Sequence, residues 1–193
     1  DYEANFLNLD INGLRHILSP NVSYYHIRRP TLPRDRIFEF DDVDALDKKR
    51  GLGLALENKL QTRRKDKGES GSTELARWLV ETDYFFHRET DARFSDVGSD
   101  LELRPYSWMF VKQTALYDPR GKDLRSLNTD FVANDPANRW RLGLGHRYEE
   151  KASSQFTTEL ETKLTSKWKC RLYERYEFRG GSFKEQEYSI TRD

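Results

Sequence analysis

The stretch from Arg139 to Phe178 constrains the fold more than any other part of the chain, because it alternates apolar and polar residues through three consecutive segments. In the first, Trp140, Leu142, Leu144 and Tyr148 share one parity, and Arg139, Arg141, Gly143, Gly145 and Arg147 share the other. In the second, Phe156, Leu160 and Leu164 alternate with Thr157, Glu159, Glu161 and Lys163. In the third, Trp168, Cys170, Leu172, Tyr176 and Phe178 alternate with Lys169, Arg171, Tyr173, Arg175 and Glu177. Successive side chains of a strand point to opposite faces, so each segment reads as a strand with one apolar and one charged face.

The turn after the second strand fixes a register that can be checked. Placing Leu164 opposite Trp168 leaves Thr165, Ser166 and Lys167 as the turn. Leu160 then faces Leu172, Phe156 faces Tyr176, and Glu161 faces Arg171, so apolar meets apolar and opposite charges meet. Lys163 against Lys169 is the one poor pair, beside the turn, where water screens it.

Two environments suit such strands. A soluble sandwich buries the apolar face against a second sheet and leaves the charged face in water. A transmembrane barrel turns the apolar face to lipid and the charged face to a wet lumen. Strand length favours the barrel: these segments approach the roughly 9–11 residues a tilted strand needs to cross a bilayer, whereas soluble strands average about 5–6. So do the aromatic residues, which close the ends of the apolar rows with leucine between them, as interfacial girdles do. Lipid-facing positions are then Leu52, Leu54, Leu56, Leu60, Trp140, Leu142, Leu144, Leu160, Trp168, Leu172 and Tyr176. Lumen-facing positions are Glu159, Glu161, Arg171 and Arg175.

Composition agrees with a barrel and removes other classes. The 193 residues carry 33 basic and 33 acidic side chains, so no net charge points to nucleic acid as a partner. Charged residues make up 34% of the chain, and no run approaches the ~18 apolar residues of a membrane-spanning helix. A barrel tolerates that polarity because only alternate residues meet lipid. The single cysteine, Cys170, cannot form an internal disulfide. No basic segment followed by an apolar one opens the sequence, so the chain is expected to start after any export signal or inside a longer precursor.

The rest of the chain continues the pattern, giving an all-β antiparallel meander of about nine or ten long strands over residues 1–193, without separable domains. Strands are expected at Asn5–Ile11, Leu14–Ile27, Arg50–Thr62, Glu74–Arg88, Asp100–Tyr117 and Leu124–Ala133, and again after the Gly180-Gly181 turn, through Tyr188 and Ile190. Pro20 and Pro105 interrupt two of them, and Pro20 suggests a bulge or a free edge. Arg28–Arg36 reads as a loop, Asp41–Lys49 as a segment able to form one helical turn, and Glu89–Ser99 as a turn region. Asp118 to Gly121 and Asn134 to Asn138 are turns.

No catalytic constellation emerges, and an enzyme is not expected. His16, His26, His87 and His146 lack metal-ligand spacing. Asp41, Asp42, Asp44 and Asp47 resemble a calcium loop in charge but lack its glycine and terminal glutamate. Gly51 with Gly53, and Gly143 with Gly145, alternate with leucine and mark thin positions on the inner face of strands rather than phosphate loops. Arg63, Arg64, Lys65 and Lys67 form a basic connection that lipid phosphates could meet. Cys170, on the apolar parity, behaves as a small hydrophobe. No metal or cofactor is called for.

Two stretches resemble one family. Arg15-His16-Ile17-Leu18-Ser19-Pro20-Asn21-Val22-Ser23-Tyr24, then Phe40-Asp41-Asp42-Val43-Asp44-Ala45-Leu46, then the strand Leu52 to Thr62, are similar to the barrel of the LptD (OstA) family of lipopolysaccharide-assembly proteins. Trp168 to Asp193 resembles that family's late hairpin. The resemblance implies a cell outer-membrane β-barrel segment of a translocon that inserts lipopolysaccharide into the outer leaflet. It also implies an upstream periplasmic jellyroll, a plug lipoprotein of the LptE type inside the barrel, and periplasmic bridge proteins that deliver the lipid to an exit between first and last strands. Nine or ten strands are too few for that barrel, so this is expected to be the C-terminal portion of a longer protein, whose sheet is open with unpaired edge strands. The family's late cysteines have no counterpart, Cys170 does not take their role, and the gate prolines are not transferred to Pro20. Two alternatives stand beside this reading: a self-contained small outer-membrane barrel, porin-like or structural, and a soluble β-sandwich that binds a partner.

Overall fold

The computed structural model describes residues 11–28, 49–63, 72–86 and 93–192. Those residues form one all-β sheet of ten antiparallel strands and contain no helix. In chain order the strands are β1 (Asn12–Ile27), β2 (Lys49–Arg63), β3 (Ser72–Phe85), β4 (Val97–Leu103), β5 (Met109–Asp118), β6 (Asp123–Asn134), β7 (Trp140–Glu149), β8 (Ser153–Lys163), β9 (Trp168–Glu177) and β10 (Ser182–Arg192). Each pairs only with its sequence neighbours, from β1 at one border to β10 at the other. The meander is open among the described residues, with β1 and β10 each paired on one side only.

The register between β8 and β9 is the one the alternation dictates. Phe156 pairs with Tyr176, Leu160 with Leu172, Glu161 with Arg171 and Lys163 with Lys169. Leu164 N–H donates to the Trp168 carbonyl at 2.9 Å, closing the turn, and Thr165 Oγ1 accepts from the backbone N–H of Lys167 and of Trp168 at 3.2 Å each. The threonine hydroxyl supplies what a type-specific turn residue would otherwise have to supply.

The expected single strand Asp100–Tyr117 is two. β4 starts at Val97, inside the segment read as a turn, and a turn at Arg104–Trp108 separates it from β5. Pro105 is the physical cause, since it cannot donate to a ladder. The parity across that turn is preserved, so Leu101, Leu103, Met109, Val111 and Ala115 still share a face. Pro20 makes no bulge: it stays in register with Leu56 on the border strand, where a missing donor can point away from the ladder. The bulge in β1 lies instead between Asn12 and Leu14, where Gly13 adopts φ +70. The expected strand at Asn5–Ile11 apart from Ile11, nearly all of the loop at Arg28–Arg36, the helical turn at Asp41–Lys49 apart from its last residue, His87 and most of the basic connection after Arg63 lie outside the described residues.

Three hairpins are pinned by buried carboxylates. Asp118 accepts from Arg120 N–H at 2.9 Å, Asp135 from Arg139 N–H at 3.2 Å, and Glu177 from Ser154 N–H at 3.0 Å and Arg179 N–H at 3.2 Å. Such side chains satisfy turn amides that the ladder leaves over, which is why aspartate recurs there. No second layer covers the sheet among the described residues, and its buried hydrophobic residues are only Leu75 and Ala133.

Candidate functional site

Paired residues in an antiparallel ladder share a face, so the registers assign every strand position to one of two surfaces. One surface is predominantly apolar across the ten strands, with Gln113, Thr129 and His146 as a polar run through β5, β6 and β7. Tyr24, Leu52 and Tyr84 form one row of it, and Pro20, Leu56 and Val80 another. Val111, Phe131 and Leu144 continue it through β5, β6 and β7, and Ala133, Leu142, Leu160, Leu172 and Tyr188 carry it to the last border. Leu54, Leu60, Trp140, Trp168 and Tyr176 share this surface, as does Cys170, whose partners are Thr162 and Ile190. Apart from the small Ala133, none of these residues is buried: Leu56 keeps 39% of its surface and Trp168 41%. A sandwich core would have hidden them.

Aromatic rings concentrate at the two ends of that surface. At one end Tyr24 lies 6.3 Å from Phe86, Tyr84 5.8 Å from Phe86 and 5.1 Å from Phe94. Farther along the same end Tyr176 meets Phe178 at 5.3 Å and Phe183 at 5.1 Å, with Tyr117 and Tyr148 on the intervening strands. At the other end stand Trp140 and Trp168, the last beneath Arg192 at 5.7 Å, while Trp78 lies near the middle of β3. Eight residues separate Trp140 from Tyr148 and Trp168 from Tyr176, about 20 Å along the normal of a membrane for a strand tilted by ~40°. Glu174 is a charged residue one row inside the Tyr176 end, where its carboxylate accepts from the Tyr188 hydroxyl.

The opposite surface is ionic. Arg77 of β3 binds Glu57 of β2 at 2.7 Å and reaches Asp100 of β4 at 3.8 Å; Lys112 of β5 lies 3.6 Å from Asp100 and 3.2 Å from Glu102. Arg147 binds Asp130 at 2.6 Å. Arg171 lies 3.1 Å from Glu159, 3.8 Å from Glu161 and 3.7 Å from Glu187, and Arg175 lies 3.4 Å from Glu185. Arg171 thus binds its diagonal neighbour Glu159 more closely than its direct partner Glu161. This surface is also crowded. A Cβ on Gly51 would collide with the Tyr84 carbonyl oxygen, one on Gly53 would sit 2.5 Å from Ser23 Oγ, and one on Gly145 would collide with Thr157 Oγ1. Glycine is what lets the strands and their cross-strand neighbours approach closely there.

Beyond the strands, salt bridges fasten the turns. Asp96, Asp118, Arg120 and Arg125 meet at the β5–β6 end, with Arg125 reaching Glu150 of the β7–β8 turn at 3.1 Å. The Glu150 carboxyl is held below its usual range by its hydrogen bond with Lys151 and by Arg125. At the opposite end the Arg139 guanidinium lowers Asp135 to about 2.

Sequence reasoning found the β7–β9 rows and their parities. It missed the four-strand ionic network from Glu57 to Lys112, although the signal was present in the odd positions of β2 and β3. It also treated Lys163 and Lys169 as an incidental pair. They line a groove of about 510 Å³ on the ionic surface, with Arg139, Arg141, Glu161 and Arg171. Among the described residues no group of histidine, cysteine and carboxylate side chains could hold a metal ion, and His16, His26 and His146 do not converge. Comparison with protein-family models finds no match for this chain, and comparison with curated proteins finds none either.

Proposed function

We propose that the sheet is part of the wall of an outer-membrane β-barrel, with its apolar surface toward lipid and its ionic surface toward a water-filled lumen. The observation that carries this reading is the apolar surface itself. It is predominantly apolar over ten strands, is covered by no second layer among the described residues, and is framed at both ends by aromatic rings. In water an apolar patch of that extent is a liability; in a bilayer it is the outer wall of a barrel. Leu52, Leu54, Leu56, Leu60, Leu142, Leu144, Leu160 and Leu172 then meet acyl chains, and Trp140, Trp168 and Tyr176 meet headgroups. Glu159, Glu161, Arg171 and Arg175 face the lumen, paired so that few charges stand alone. Glu174 lies near the headgroup region, where a carboxylate is tolerable.

Within that reading, the resemblance of Arg15–Thr62 to LptD-type proteins supports a role in lipopolysaccharide insertion, with lipopolysaccharide as cargo, an LptE-type plug inside and periplasmic bridge proteins as donors. The role is non-enzymatic. The decisive measurement is partitioning. The chain is expected to need detergent or phospholipid to stay monodisperse and to float with vesicles after an alkaline carbonate wash. A chain that remains monomeric in buffer and takes up no micelle would end the membrane reading. The export role is tested separately, by photo-crosslinking from the lumen position Tyr173 to lipopolysaccharide in cells: absence of lipid adducts in a correctly inserted barrel would leave a barrel without that cargo.

A further inference from the structure

We infer that the apolar surface carries, at the aromatic end of β1–β3, a binding site for the phosphate of an anionic lipid headgroup, formed by Arg50 and Arg93 on a platform of rings. Two rows make the platform. His26, Arg50 and Phe86 lie side by side, and the Phe86 N–H donates to the Arg50 carbonyl at 3.0 Å. The next row inward holds Tyr24, Leu52 and Tyr84, with Tyr84 bridged to Phe94. Ladder partners, and residues two apart on a strand, share a face, so both rows stand on the apolar surface. Arg93, next to Phe94, joins them through its side chain, whose Nη1 donates to the Tyr84 hydroxyl at 3.2 Å.

The cations of this cluster are kept differently from those of the ionic surface. There Arg77, Arg147, Arg171 and Arg175 each bind a carboxylate. Among the described residues Arg50 and Arg93 have no such acid. Arg50 lies over the Phe86 ring at 5.6 Å, and Arg93 is held by the Tyr84 hydroxyl. Phe86 packs against both Tyr24 and Tyr84, so the rings and the guanidinium above them are positioned together. A ring face attracts a guanidinium without cancelling its charge, and the N–H edge stays free to take two oxygens of one anion. The Tyr84 hydroxyl, which accepts from Arg93, still has its own proton to give. Arg50, Arg93, Tyr24, Phe86 and Phe94 are all exposed. In a barrel an aromatic end lies at headgroup level, where lipid phosphates lie. Two uncompensated cations favour an anionic headgroup and repel the quaternary ammonium of a choline lipid. A soluble phosphate would make no use of the apolar rows beginning at Leu52 and Leu54, whereas acyl chains would lie along them.

This inference rests on the barrel reading. The test places the full chain in phosphatidylcholine vesicles, with and without about one-fifth phosphatidylglycerol, and follows its unfolding in urea. Phosphatidylglycerol is expected to raise the urea midpoint, because a ligand that binds only the folded state stabilises it. Arg50→Gln with Arg93→Gln should leave the midpoint in pure phosphatidylcholine nearly unchanged and remove most of that increment. Lys163→Gln with Lys167→Gln takes the same charge from the other end and should keep the increment. Glycerol 3-phosphate, which has the phosphate without the chains, should not reproduce it. A full increment in the arginine variant, an equal loss in the lysine variant, or an equal shift with glycerol 3-phosphate would overturn the site. A chain that does not float with pure phosphatidylcholine vesicles ends the barrel reading itself. One that floats but gains nothing from phosphatidylglycerol overturns this site alone.

Discussion

Leu56 offers the sharpest test of which surface meets lipid. It is the central residue of β2, seven residues from Lys49 and seven from Arg63 in a strand of 15. At about 3.3 Å per residue and a tilt of ~40°, seven residues span roughly 18 Å of membrane normal, so Leu56 lies near the middle of an apolar band about 25 Å tall. Its partners are Pro20 and Val80, which offer an arginine no acid. Leu56→Arg should therefore cost about 2–4 kcal/mol in a bilayer, which lowers the folding equilibrium constant roughly 30- to 1,000-fold. Ala55 is the matched control. It lies at the same depth on the ionic surface, beside Asn21 and Glu81, so Ala55→Arg gains an acidic neighbour and should change stability by about 1 kcal/mol or less. The assay is urea unfolding from phosphatidylcholine vesicles, followed by the fluorescence of Trp78, Trp140 and Trp168, which share the apolar surface. If the apolar surface faced water, Leu56→Arg at a site already 39% exposed would shift stability by only about 0.5 kcal/mol. Equal costs for the two variants, or a larger cost for Ala55→Arg, would refute the assignment of faces.

Other expectations follow from the ionic surface and the turns. Gly145→Val drives a side chain into Thr157 and should destabilise the β7–β8 hairpin by about 1–3 kcal/mol; adding Thr157→Ala should recover part of that loss in a double-mutant unfolding series. Asp135 has a depressed pKa, about 2 against an ordinary 3.8, so its contribution to stability is present above 3.8 and lost as pH falls through 2. The protection of the Arg139 amide relative to its intrinsic exchange rate should fall over that window, and Asp135→Asn should remove that change. Arg171→Met leaves Glu159, Glu161 and Glu187 facing one another, so its urea midpoint should fall and should recover in 1 M salt, where exposed charges are screened.

The fold was legible wherever alternation was strict. From Trp140 to Glu177 the two-residue period, Thr165 in its turn and the apposition of Glu161 with Arg171 agree with one another, and the registers follow from them. Legibility failed at Arg104–Trp108. The parity of Leu101, Leu103, Met109 and Val111 is the same whether the chain runs straight or doubles back after an odd turn, so periodicity cannot see that hairpin. Pro105 was the only local sign. The faces were legible in the same way, because a residue's parity names its side. The groove was not, because it depends on rows assembled from β7 to β10, which are adjacent only once every register is known. Lys163 opposite Lys169 could have raised the question earlier, as a conflict in an otherwise self-consistent pairing.

The borders of the sheet carry a last consequence. Along β1 and β10, every second amide and carbonyl points sideways, away from any partner in the ten-strand ribbon. Hydrocarbon offers nothing to receive them, and each stranded group there costs several kcal/mol. A ribbon of this kind therefore cannot rest in a bilayer with its margins bare. If the sheet is a barrel wall, it must acquire flanking strands or seam its own margins together, and insertion is then coupled to that event.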